Sequence, residues 1–231
     1  MGGLGPEGGC DADGVPLLLR YAAELSGKTS PRICVLNTAA GDEPGGFLRI
    51  YSSLAGLPSR VSHLQLFPLP NVADPADLLL SQDVIFSGGG SVANMLAVWR
   101  VHGLDQILRR AWEAGIVLSG VSAGAICWFT GGTTDSFGAL RPFTDGLGFL
   151  AGSYCPHYDS EPGRRPLYQG LVADGSLPAG IACDDGAAAH CVDDALAEIV
   201  ADRPSAAGYL VERSGDGAMK ETRIEPRSLV R

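Results

Sequence analysis

Apolar residues recur along this chain with two different periods, and each change of period marks a new element. Val15 to Ser26 (VPLLLRYAAELS) places Leu17, Leu18, Tyr21, Ala22 and Leu25 on one helical face. Ile33 to Leu36 is a short β-branched and apolar run, the mark of a strand buried on both faces. A helical stretch from Phe47 to Leu57 follows, then a strand near Val61 to Phe67 and a short helix from the Asp74-Pro75 start signal. Asp83 to Ser87 reads as the next strand and runs straight into Gly88-Gly89-Gly90. Helices over Val92 to Val98 and Leu104 to Ala114 lead to a strand at Ile116 to Ser119. This alternation predicts the α/β class: a three-layer sandwich with a mostly parallel central sheet and helices on both faces.

Beyond Ser122 the pattern loosens. Gly131 to Pro166, rich in Gly, Pro, Asp and Tyr, reads as loops around a site. The last third is β-rich, with runs at Ile181 to Cys183, Ala187 to Val192, Leu196 to Ala201 and Gly208 to Glu212. Met1 to Gly14 is glycine-rich and acidic without periodicity, and no linker marks a second domain. Residues 1–231 are therefore expected to form a single α/β domain.

Composition narrows the function classes. A formal charge of −9 argues against nucleic-acid binding, which needs a basic surface, and the one dense basic spot is Arg164-Arg165. The six cysteines form no C-x-x-C pair, which removes zinc-ribbon and thioredoxin-like readings. Cys34, Cys127 and Cys183 sit in apolar runs and read as reduced core residues. No basic segment precedes an apolar one at the N-terminus, and no apolar run approaches about 18 residues. A soluble, cytoplasmic protein without a membrane partner is expected, as a monomer or homodimer.

The chemistry concentrates at Gly120-Val121-Ser122-Ala123-Gly124, a G-x-S-x-G pattern with a strand before it and an apolar helix (AICWF) after it. A nucleophile exposed at a strand end needs a tight turn, and side chains two residues either side would collide there. The following helix N-terminus favours negative charge on a tetrahedral intermediate. The plainer reading is a glycine turn with a surface serine.

A serine hydroxyl needs a base, and the chain has four histidines. His63, His102 and His190 fall in strands or near a connecting turn and read as structural. His157, in Tyr154-Cys155-Pro156-His157-Tyr158-Asp159, is the best candidate, against plain loop packing. Asp135 is a candidate for the orienting carboxylate, with Asp145, Asp159 and Glu161 as competitors among which the local sequence does not choose. Gly88-Gly89-Gly90 should end its strand at the same sheet edge as Ser122. Gly89 or Gly90 could then supply an oxyanion donor beside the Ala123 N–H. No G-K-[ST] follows these glycines, which weakens a nucleotide reading.

Taken in order, Gly88-Gly89-Gly90, Gly120-Val121-Ser122-Ala123-Gly124-Ala125, Thr134-Asp135, Pro156-His157-Tyr158 and Asp184-Asp185-Gly186-Ala187-Ala188 resemble the dipeptidase E family of serine peptidases. That family also includes cyanophycinases. The resemblance runs from about Val15 to Val211. It implies a fold like class I glutamine amidotransferases, with serine where those enzymes carry cysteine. It also implies a triad of Ser122, His157 and Asp135, the acid being the member that varies in the family. The implied activities are cleavage of dipeptides with an N-terminal aspartate or, in cyanophycinases, release of a β-aspartyl–arginine dipeptide.

The chain departs from the family pattern in having Ser91-Val92 after the triple glycine where Asn-Thr is usual, with Asn94 three residues on. It also starts at a glycine-rich loop that a strand usually precedes. The expected chemistry is acyl transfer to Ser122 with a small peptide as substrate and no metal or organic cofactor. Arg164 or Arg165 could clamp a substrate carboxylate, the alternative being a pair of exposed loop arginines. Three other classes remain open: an esterase-like α/β hydrolase, an amidotransferase using Cys127, and a catalytically silent binding domain on the same scaffold.

Overall fold

The computed structural model describes residues 1–4, 8–215 and 218–230. Part of the expected aperiodic stretch from Met1 to Gly14, residues 5–7, lies outside them. The chain forms two compact units, one of Cys10–Gly124 and one of Met1–Gly9 with Ala125–Arg231.

In the Cys10–Gly124 unit, strands and helices alternate as the hydrophobic pattern predicts. The order is α1 (Leu17–Glu24), β1 (Arg32–Leu36), a 3-10 turn (Thr38–Ala40), α2 (Pro44–Leu54), β2 (Arg60–Leu64), α3 (Pro75–Leu80) and β3 (Val84–Ser87). Then come α4 (Val92–Val101), α5 (Leu104–Glu113) and β4 (Val117–Gly120). The strands form a sheet of order β2-β1-β3-β4, parallel throughout. Local chemistry sets the boundaries. Asp74 caps α3, its Oδ1 accepting the Ala76 N–H at 2.7 Å, and Pro75 takes the first helical position. Ser91 caps α4 by accepting the Asn94 N–H at 3.2 Å, so the residue that departs from the family pattern serves here as a helix cap.

The elbow helix α6 (Ala123–Ile126) leads into the second unit, where β5 (Phe129–Thr134), β6 (Arg141–Phe143), β7 (Leu150–Cys155), α7 (Arg164–Ala173) and β8 (Gly180–Cys183) follow. The chain ends with β9 (Ala187–Val192), β10 (Ala195–Ala201), β11 (Gly208–Arg213), β12 (Met219–Ile224) and β13 (Arg227–Ser228). One sheet runs β12-β11-β8-β7-β5-β6 and a smaller one β13-β10-β9. Tyr158, Tyr168, Leu171, Val172, Leu177 and Val211 form the core beside α7.

The stretch read as loops from Gly131 to Pro166 is a correction: it carries β5, β6, β7 and the start of α7. Its glycines are packing positions, because a Cβ at Gly131 or Gly132 would collide with the Phe143 or Tyr154 carbonyl of the neighbouring strand. A glycine-rich strand shows no hydrophobic alternation, so periodicity misses it. No helix among the described residues is long and apolar enough to cross a membrane.

Candidate active site

Each unit presents a cluster of polar groups at the carboxyl ends of parallel strands, the edge where open α/β sheets place their chemistry.

In the Cys10–Gly124 unit, β3 and β4 pair in parallel with Ser87 opposite Gly120. The triple glycine and Ser122 therefore leave the sheet at one edge, as expected. Ser122 has φ 55, in the left-handed region that a residue with a side chain rarely adopts. The turn holds it there through the Gly124 N–H to Val121 O bond at 2.9 Å and the Val121 N–H to Ser87 O bond at 3.1 Å. The flanking glycines are obligatory. A Cβ at Gly120 would strike Gly124 O, and one at Gly124 would strike Ser87 O. Backbone passes where side chains cannot, which is the reason for the G-x-S-x-G spacing.

Gly89 is close beside the nucleophile: a Cβ built there would lie 3.4 Å from Ser122 Cβ and 4.0 Å from Oγ. Gly90 makes the turn, with φ +137 and its Cβ position blocked by Ala39 O. Ala123 is buried at the start of α6. That helix ends at Ile126, whereas the expected helix over AICWF runs to Phe129, which instead opens β5. The helix dipole is correspondingly small.

In the second unit, β7 and β8 pair in parallel with Cys155 opposite Ala182. His157 follows the end of β7 by two residues, and Asp185 follows the end of β8 by two. Their side chains meet, His157 Nδ1 lying 2.7 Å from Asp185 Oδ1. His157 has φ 53, a second strained non-glycine position, and its side chain is 20% exposed. Burial pushes the Asp185 carboxyl up, but hydrogen bonds from His157 and Ser160 and the charges of His157 and Arg203 more than offset this. The net effect holds it below the usual carboxylate range. Gly3 packs directly on the pair, since a Cβ there would lie 2.8 Å from His157 Cε1 and would strike Asp185 Oδ1. Beside it, burial and the Asp159 charge raise Asp184 to about 6, although Asp184 Oδ2 accepts from the Ala207 N–H at 2.9 Å.

The acid beside the imidazole is thus Asp185, where the sequence reading has Asp135. Asp135 is exposed in the turn after β5, where its carbonyl accepts the Gly138 N–H at 2.8 Å. Of its competitors, Glu161 lies 4.0 Å from His157 Nε2 and bonds Arg164, Asp159 bonds the Asp185 N–H, and Asp145 is exposed. The signal that could have found Asp185 is a carboxylate at the carboxyl end of a strand, followed by glycine and running parallel to the strand that carries the histidine.

The two arginines expected as a carboxylate clamp both have partners within the protein. Arg164 is 2% exposed; its Nε donates to Glu161 Oε2 at 2.8 Å and its Nη1 to Thr133 O at 3.0 Å. Arg165 pairs with Glu221 and lies over the rings of Tyr158 and Tyr209 at 5.1 and 5.0 Å. Glu221 also accepts from Tyr158 Oη at 2.5 Å and Gln169 Nε2 at 2.7 Å. Arg164 is buried and Arg165 is exposed, because a helix start turns two consecutive side chains toward different neighbours.

The other histidines have structural partners. Tyr51 Oη lies 2.9 Å from His63 Nδ1, His190 Nδ1 lies 3.5 Å from Glu198 Oε1, and His102 caps the end of α4. Cys127 is fully buried, and burial pushes its thiol well up, the opposite of what a thiolate nucleophile requires.

A family model described as peptidase family S51 matches residues 10–199. The uncharacterized peptidase YgaJ of Bacillus subtilis (strain 168) is 46% identical over 192 residues, which cover 83% of this chain and 83% of YgaJ. A peptidase from an acI-B1 Actinobacterium has a similar fold, with a TM-score of 0.67 and 17% identity over 94% of this chain and 92% of that one. A peptidase E candidate from Listeria monocytogenes EGD-e matches with a TM-score of 0.53 and 16% identity over 94% of this chain and 96% of that one. At those identities the two structures speak to the fold.

Proposed function

The chain belongs to peptidase family S51 and is a serine-type peptidase, and on that premise we propose that Ser122 and His157 hydrolyse short peptides through an acyl-enzyme. Ser122 Oγ attacks the scissile carbonyl while His157 Nε2 takes its proton and then delivers it to the leaving amine. Asp185, through Nδ1, fixes the tautomer that leaves Nε2 free and stabilises the imidazolium that forms. The Gly89 and Ala123 N–H groups receive the oxyanion. Water then attacks the acyl-enzyme, with His157 as base once more, and no step requires a metal or organic cofactor.

The observation that carries this reading is the elbow: Ser122 held at φ 55 between two glycines that tolerate no side chain, with the Gly89 backbone against it. Such strain has no packing advantage, and it exposes a hydroxyl where a nucleophile must stand. Dipeptides with an N-terminal aspartate are the proposed substrates, as the resemblance implies. A dipeptide library screened beside Ser122→Ala tests the proposal. Turnover of a subset of dipeptides, lost in the variant with the fold intact, is expected. Equal turnover in Ser122→Ala would refute it.

A further inference from the structure

Asp185 sits on a connection between strands, and a connection does not by itself hold a carboxylate in a fixed orientation against an imidazole. Both backbone polar groups of Asp185 are nevertheless engaged by a single ion pair. Its N–H donates to Asp159 Oδ1 at 2.9 Å, and its C=O accepts from Arg203 Nε at 2.8 Å. The partners are joined in turn, Arg203 Nη2 donating to Asp159 Oδ2. The ring is closed: peptide N–H, carboxylate, guanidinium, peptide C=O.

We infer that Arg203 and Asp159 are positioning residues, which hold the Asp185 peptide so that its carboxylate stays aligned with His157 Nδ1. The inference rests on the reading of His157 as the general base.

The geometry supports it at three points. Asp159 lies two residues beyond His157, so the clamp ties the segment that carries the imidazole to the segment that carries its carboxylate. The same two segments meet a second time where the Tyr158 N–H donates to Cys183 O at 3.2 Å. Next, Gly186 has φ +80, and a Cβ there would lie 3.0 Å from both Cγ and Nε of Arg203. The residue after Asp185 therefore leaves room for the guanidinium to reach the peptide. Finally, Arg203 uses its whole fork, with Nη1 donating to Ser205 Oγ at 2.8 Å. A lysine ammonium is a point charge and does not reproduce three donors in one plane. The ion pair is partly exposed, Arg203 at 18% and Asp159 at 33%. Pairs of that kind contribute little to stability, so the consequence of this one lies in where it holds the Asp185 peptide.

Arg203→Met tests the inference on the full chain. A fall in kcat of roughly 10- to 100-fold with KM unchanged is expected. The loss should disappear in an Asp185→Asn background, since a residue that acts only through Asp185 has nothing left to position. Proton NMR of the folded protein should show a hydrogen-bonded His157 Nδ1 proton that exchanges away in Arg203→Met. Should Arg203→Met fail to fold, Arg203→Lys is expected to lose kcat in the same direction, by less. Full kcat and an unchanged Nδ1 proton in the Arg203 variants, with His157→Ala and Asp185→Asn inactive, would overturn this inference alone. Undiminished turnover in His157→Ala would instead remove the reading beneath it.

Discussion

His157 Nδ1 and Asp185 Oδ1 lie 2.7 Å apart, on segments that leave adjacent parallel strands at the same edge. Nδ1 bound to a carboxylate leaves Nε2 as the proton-accepting nitrogen, so this contact decides which atom of the ring can act as base. The contact also sets Asp185 against Asp135, the acid that the family resemblance implies. Asp185→Asn is expected to lower kcat by about 10²–10⁴-fold, because the amide favours the wrong tautomer. Asp135→Asn, at an exposed turn, should stay close to wild type. Steady-state kinetics of both variants on one dipeptide decides between them, and the reverse ranking would restore Asp135 as the acid.

The elbow glycines divide into structural and chemical positions. At Gly120 and Gly124 a methyl group meets a backbone carbonyl that cannot move aside. Alanine at either is expected to destabilise the protein by about 2–4 kcal/mol in urea unfolding. At Gly89 the nearest atoms are Ser122 Cβ at 3.4 Å and Val121 O at 3.6 Å. Gly89→Ala should therefore fold normally and lose kcat, because the methyl group stands where the reacting carbonyl must approach. Normal kcat in folded Gly89→Ala would contradict this placement.

Much of this arrangement is legible in the sequence, and the parts that are not have physical causes. The helices and strands through β4 follow from apolar periodicity and capping residues such as Asp74, because each buries one face. Ser122 is legible because the turn it occupies excludes side chains at fixed offsets. His157 is legible by elimination among four histidines. Asp185 is not, because its pairing depends on the parallel register of β7 with β8, and those strands are set 25 residues apart by α7 and its connections. The glycines of β5 hide that strand, since they are present for close packing and carry no hydrophobic signal.

Arg164 and Arg165 show the same difficulty, and they yield a prediction about selectivity. Arg164 is buried while Glu161 is 39% exposed, so Arg164→Ala should cost about 1–3 kcal/mol of stability, chiefly by leaving the Thr133 carbonyl without its donor. Arg165→Ala breaks the Glu221 hub that ties α7 to β12 and to Tyr158. In both variants the loss of kcat/KM should be equal for Asp-Xaa and neutral dipeptides. A loss confined to Asp-Xaa substrates would reinstate the clamp.

Asp202 predicts a pH dependence of stability. It is 2% exposed, and burial raises its carboxyl from 3.8 to about 6. Between those values the folded state holds a proton that the unfolded chain has released. Stability from this group is therefore fully present below about pH 4, declines as the pH rises to about 6, and is level above that. Asp202→Asn should remove that component. At neutral pH and above it should gain on the order of 1–2 kcal/mol, with little change near pH 4. Thermal melts of the two proteins across this range check it, and a variant less stable than wild type at pH 8 would contradict the sign.

In the proposed mechanism Ser122 is the nucleophile, activated by His157. Reaction with a fluorophosphonate, followed by peptide mapping, tests it most directly. One adduct on Ser122 is expected, formed much more slowly in His157→Ala and Asp185→Asn and absent from Ser122→Ala. A protein that cleaves peptides but leaves Ser122 unlabelled, or a Ser122→Ala variant that still turns over, would contradict it.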